Sequence, residues 1–167
     1  TVMGNQNPSA PYFTRGTGHD EYGNYSEDPG NWAAMIRRIK RKLDNSCEYL
    51  PEPIIRGKPN ARIGIIAMGS TDPALIEAQD QLEEAGIPAD YLRVRALPSC
   101  SQVREFLEAH ERVYVVELNR DGQLFGILQQ EQHELSPKLI SLAEVDGLPM
   151  TAIWVREQIL AKEQQHG

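Results

Sequence analysis

From Ile63 to the end, the chain repeats one pattern four times: a short apolar run of strand length, a turn, then a longer segment with apolar residues at helical spacing. No other feature constrains the fold as much. A strand that returns parallel to its predecessor needs a crossover, and a crossover helix buries its apolar stripe on the sheet. The pattern predicts strands over 62–68, 90–95, 112–117 and 139–145. A further short strand is predicted at Ile54-Ile55-Arg56, where Pro51 and Pro53 favour an edge position. The expected fold is therefore a three-layer α/β/α domain, with a five-stranded, mostly parallel sheet and one antiparallel edge strand.

Local signals place the helices. Asp72-Pro73 opens one whose Leu75, Ala78, Leu82 and Ala85 form a stripe before Gly86 ends it. Ser99 and Gln102 read as a capping box ahead of Val103, Phe106, Leu107 and His110. Leu124, Ile127 and Leu128 point one face of the next helix inward, and a closing helix runs from about Pro149 to Glu163.

Residues 1–30 differ in kind. They are rich in Gly, Pro, Asn, Ser and Tyr without either period, and read as an extended, linker-like arm ahead of an α/β domain over 31–167. The polar opening stretch reads as a cut or processed end. Tyr12, Phe13, Tyr22 and Tyr25 supply aromatic area that either another surface or the chain's own domain would bury. A helix over 31–45 is expected to pack Trp32, Met35, Ile36, Ile39 and Leu43 inward. Its other side carries Arg37, Arg38, Lys40, Arg41 and Lys42, which is either a solvated face or a dock for an acidic partner or phosphate.

Charge narrows the function classes. The chain has a net charge of −7, which opposes binding to nucleic acid or an anionic membrane surface. No apolar run approaches the roughly 18 residues a spanning helix needs. Cys47 and Cys100 stand in unrelated segments, unlike the clustered spacings of disulfide scaffolds and zinc sites. A soluble, cytoplasmic protein is expected.

In sheets of this class, ligands and partners meet the carboxyl ends of strands where the winding reverses. Two loops qualify there: Gly69-Ser70-Thr71, and Glu117-Leu118-Asn119-Arg120 with Gln123 beyond. Gly69-Ser70-Thr71 precedes a helix N-terminus that could hold an anion. It lacks the glycines and lysine of nucleotide loops, so capping is the better reading. Glu117 closes an apolar strand; it could be a buried general acid or base, but a structural pairing with Arg120 or with a helix N-terminus is preferred. His19-Asp20-Glu21 cannot converge on one ion from an extended arm, and His110 reads as a helix-end residue. No catalytic, cofactor or metal constellation is complete, so the chain is expected to be inactive alone.

Several segments in order resemble the α subunit of 2-oxoacid:ferredoxin oxidoreductases, particularly the 2-oxoglutarate type. They are Arg15-Gly16-Thr17-Gly18-His19-Asp20-Glu21-Tyr22-Gly23, Glu27-Asp28-Pro29 with its basic helix, Ile65 to Thr71, Leu92 to Pro98, Tyr114 to Gln123, and Asp146 to Thr151. Leu118 departs from the polar residue or Met expected there. The resemblance implies a transketolase C-terminal-like domain of a thiamine diphosphate enzyme that oxidatively decarboxylates a 2-oxoacid with coenzyme A. It implies that thiamine diphosphate, Mg and iron–sulfur clusters lie in upstream α-subunit domains and the β subunit, with ferredoxin and coenzyme A meeting the full complex. Gly69, Ser70, Thr71, Glu117, Asn119, Arg120 and Gln123 would then be interface residues. The alternative is a small-ligand-binding or regulatory domain of flavodoxin-like form.

Overall fold

A computed structural model describes residues 3–8, 10 and 18–165. Tyr12, Phe13 and the Arg15-Gly16-Thr17 segment lie outside the described residues. The chain divides into two compact units, Thr1–Glu48 and Tyr49–Gly167.

In the first unit, residues 18–26 form a folded turn. The Asp20 carboxylate accepts from the backbone N–H groups of Tyr22 and Asn24 and from the Asn24 side chain, which tightens the turn and lowers its pKa. His19 and Tyr25 bridge antiparallel across it. The helix α1 (Pro29–Asp44) follows, with the Asp28 side chain accepting from Asn31 N at 2.6 Å and Pro29 opening the first turn. The Asn31 amide donates back to His19 O at 2.9 Å, tying turn to helix.

The inward face expected of α1 is corrected. No residue of α1 is buried; Trp32 is 45% exposed and Leu43 54%. The spacing specifies which face prefers an apolar neighbour, but not what supplies it.

The second unit holds the sheet: β1 (Ile54–Arg56), β2 (Ile63–Met68), β3 (Ala89–Val94), β4 (Arg112–Leu118) and β5 (Leu139–Glu144), in the order β1-β3-β2-β4-β5. Only β1 is antiparallel, pairing with β3 at the edge, as the prolines predict. The helices are α2 (Asp72–Glu84), α3 (Ser101–Ala109), α4 (Gln123–Glu131) and α5 (Ala152–Glu163).

Alternate residues of the central strands serve opposite faces, the strand period of two. Ile63, Ile65, Ala67, Tyr91, Tyr114 and Val116 pack with Leu75, Ala78 and Leu82 of α2 and Val155 and Ile159 of α5. Ile66, Leu92, Val113 and Val115 pack with Val103, Phe106 and Leu107 of α3 and Leu124 and Leu128 of α4. Gly64 is required at this second layer: a Cβ there would stand 2.5 Å from the Phe106 ring.

Three further expectations are corrected. The Ser99/Gln102 capping box is absent; α3 starts at Ser101 after Cys100, and no side chain caps it. Ser99 instead bonds α4 and the chain just after it, donating its backbone N–H to Glu131 and accepting at Oγ from Gln132. Arg120 pairs with Asp121 at 2.7 Å rather than with Glu117. No cysteine is a free thiol, so the compartment argument drawn from isolated thiols lapses. His110 does close α3, its buried ring bonding Phe106 O at 2.6 Å and Asp90 at 3.1 Å. Among the described residues, no helix is long and apolar enough to cross a membrane.

Candidate interface at the carboxyl ends of the strands

The strand order fixes where the winding reverses. From β2 the chain moves to β3 on one side; from β4 it moves to β5 on the other. The loops leaving β2 and β4 therefore diverge, and a crevice opens between them. A cavity of about 420 Å³ lies there, lined by Gly69, Ser70, Thr71, Glu117, Asn119 and Gln123 together with apolar side chains that include Leu97 and Ile127. Six of the seven residues singled out from sequence thus meet at one place, and Arg120 is not among the lining residues.

Most of the polar side chains there already have structural work. The Glu117 carboxylate is buried and accepts from Leu124 N at 2.9 Å and Phe125 N at 3.1 Å, the second and third residues of α4. A carboxylate at this position satisfies orphan N–H donors and matches the positive end of the helix dipole. Gly122 makes this possible: its φ of +62° turns the chain, and a Cβ would crowd Ser141 Oγ at 3.2 Å. Asn119 Oδ1 accepts from Asp121 N at 2.9 Å, while its amide donates to Gln123 Oε1 at 2.9 Å.

The β2 loop is fixed similarly. Gly69 takes a φ of +76°, and the Thr71 hydroxyl donates to Met68 O at 3.1 Å. Asp72 in the first turn of α2 accepts from the Tyr91 hydroxyl at 2.9 Å and Arg93 at 3.0 Å. Burial first, and then that hydrogen bond, push the Tyr91 phenol well above its ordinary pKa.

The α4 N-terminus therefore already holds a carboxylate of the chain itself, and the Asp72 carboxylate stands in the first turn of α2, which opposes a second anion at either. Among the described residues there is likewise no cluster of three or more His, Cys, Asp or Glu side chains that could hold a metal ion.

A second cavity of about 470 Å³ adjoins the first, sharing Ser70 and Leu118 and bounded by Glu144, Val145, Gly147, Leu148, Pro149 and Met150. These β5–α5 loop residues were not singled out as a site. Apart from Glu144 they carry no ionisable group, so a search for chemistry passes over them. Their signal is exposure: Met68, Leu118, Val145 and Leu148 are large apolar side chains exposed together at one edge, with Val145 at 65% and Leu148 at 64%.

The 2-oxoacid:ferredoxin oxidoreductase 2 α subunit of Aeropyrum pernix is 32% identical over 147 residues, covering 85% of this chain and 23% of that protein. The chain is homologous to these α subunits. The α subunit of the Saccharolobus solfataricus enzyme is 29% identical over 168 residues, covering 95% of this chain and 26% of that subunit. The chain thus spans about a quarter of the length of the curated relatives it matches. No family model matches the sequence.

Among solved structures, the 2-oxoglutarate:ferredoxin oxidoreductase of Magnetococcus marinus, with 2-oxoglutarate, coenzyme A and succinyl-CoA bound, superposes with a TM-score of 0.79. It shares 25% identity over 94% of this chain and 27% of that one. A split-gene transketolase gives a TM-score of 0.51 at 20% identity over 66% of this chain and 40% of its own. The fold is the transketolase C-terminal-like α/β fold, and the homologous α subunits belong to oxidoreductase complexes.

Proposed function

We propose that this chain is the C-terminal assembly domain of the α subunit of a thiamine diphosphate-dependent 2-oxoacid:ferredoxin oxidoreductase, which converts a 2-oxoacid such as 2-oxoglutarate to an acyl-CoA. The observation that carries this reading is the state of the carboxyl edge. Its two loops are pinned by internal hydrogen bonds, the carboxylates of Glu117 and Asp72 are committed to a helix end and to side chains of the chain itself, and large apolar side chains are left exposed beside them. Such an edge offers complementarity to another polypeptide. In this reading thiamine diphosphate, Mg and iron–sulfur clusters sit in upstream α-subunit domains and the β subunit. Ferredoxin and coenzyme A meet the full complex, in the cytoplasm.

The test uses the complete α subunit assembled with its β subunit. Asn119→Ala combined with Gln123→Ala removes the bond that fixes the β4 loop. Light scattering should show weakened assembly, and ferredoxin reduction with 2-oxoglutarate should fall several-fold. Unchanged assembly and turnover would sink the interface role. A small-ligand domain would instead show a thermal shift of the isolated chain with coenzyme A, thiamine diphosphate or a nucleotide.

A further inference from the structure

The two cavities at the carboxyl edge adjoin, and Ser70 and Leu118 line both. On one side the apolar wall is Leu97, Leu124 and Ile127; on the other it is Val145, Leu148 and Met150.

The rim is electrically one-sided. Glu144 bonds the N–H of Val145 and Asp146 that of Leu148, and neither meets a cation among the described residues. Two of the arginines of this edge are neutralised, Arg93 by Asp72 and Arg120 by Asp121, while among the described residues Arg95 bonds only the Glu52 carbonyl on the β1 side. The chain's whole surplus of acidic residues also falls in residues 49–167, while the first 48 balance. An acidic peptide, a nucleic acid or an anionic bilayer would be repelled here.

We infer that the paired cavities take a segment of the same oxidoreductase that places one apolar side chain on each side of Leu118 and flanks them with Lys or Arg, so that the cations face Glu144 and Asp146. The inference rests on the interface reading and adds the chemistry of the occupant. Apolar anchors give such a contact its affinity, while rim charges set its register and partner choice.

The experiment is photo-crosslinking in the assembled α/β complex, with a benzophenone amino acid in place of Leu148, followed by sequencing of the cross-linked peptide. The expected product is a peptide of the complex whose apolar residues are bordered by Lys or Arg. Its yield should drop at least tenfold when Glu144→Lys and Asp146→Lys are combined, and about threefold with Glu144→Gln and Asp146→Asn. A cross-link to a neutral or acidic segment, with a yield indifferent to charge reversal, would overturn the inference and leave the interface reading standing. No cross-link to any polypeptide, or protection of the site by coenzyme A or 2-oxoglutarate alone, would overturn both.

Discussion

The two helices on one face of the sheet are anchored at opposite ends by the same device. At the carboxyl end, Tyr91 and Arg93 of β3 hold Asp72 in the first turn of α2. At the amino end, Arg112 and Tyr114 of β4 hold Glu163, the last residue of α5; the arginine is bidentate at 2.8 and 2.7 Å and the phenol donates at 2.5 Å. In both cases an arginine and a tyrosine two residues apart on one strand face one carboxylate. The dipoles, however, act with opposite signs: a carboxylate at a helix N-terminus is favoured, whereas one at a C-terminus is opposed. Asp72 would therefore be tolerated without its arginine, but Glu163 depends on its partner. The Arg112–Glu163 pair is also the less exposed of the two.

The sharpest break in that comparison is the removal of each arginine. Arg112→Ala should cost about 3 kcal/mol, because it leaves a half-buried carboxylate at the wrong end of a helix. Arg93→Ala should cost about 1 kcal/mol, since the dipole of α2 and the Tyr91 hydroxyl remain. Urea denaturation of the two variants gives both numbers. Equal losses would show that the helix ends do not set the difference.

Next in size is the other carboxylate at a helix start. Glu117→Ala strips Leu124 and Phe125 of their acceptor in a buried setting, a loss of about 2 kcal/mol. Glu117→Gln keeps one acceptor and should recover roughly half of it. Amide exchange at Leu124 and Phe125 should quicken in the alanine variant while the amides of α2 stay protected. A stability change confined to under about 0.5 kcal/mol would mean that Glu117 is not a cap.

These contrasts also mark what could be read from the chain. The five strands, the antiparallel edge and the three crossovers follow from apolar spacing and proline placement, because both report backbone requirements that are local. The capping role of Glu117 was half legible: a carboxylate ending an apolar strand needs a partner, yet spacing offers both Arg120 and the α4 N-terminus. Gly122 decides between them by turning the chain so that α4 starts over the carboxylate. The Tyr–Arg–carboxylate clamps were not legible, since their members lie 19 to 51 residues apart. The exposed face of α1 could not be foreseen either, because a stripe of Trp32, Ile36, Ile39 and Leu43 reads the same whether or not something covers it.

The smallest expected effect probes the two phenols rather than the two arginines. Tyr91 and Tyr114 both have pKa values raised well above the ordinary phenol, by burial first and by the hydrogen bond to a carboxylate second. In the unfolded chain both phenols ionise near pH 10, while in the folded chain both keep their protons. The stability they confer is therefore complete below about pH 10 and is lost progressively as the pH rises through the interval up to the folded values. Urea midpoints should hold steady up to about pH 9.5 and then fall, the two phenols together contributing up to two protons to the slope. Tyr91→Phe or Tyr114→Phe should each reduce that slope by up to one proton, and the double variant by up to two. Because the cause is shared, the two single variants should be interchangeable in slope even though their arginines differ in cost. A double variant as alkali-sensitive as the parent would place the titration elsewhere and break the equivalence of the two clamps.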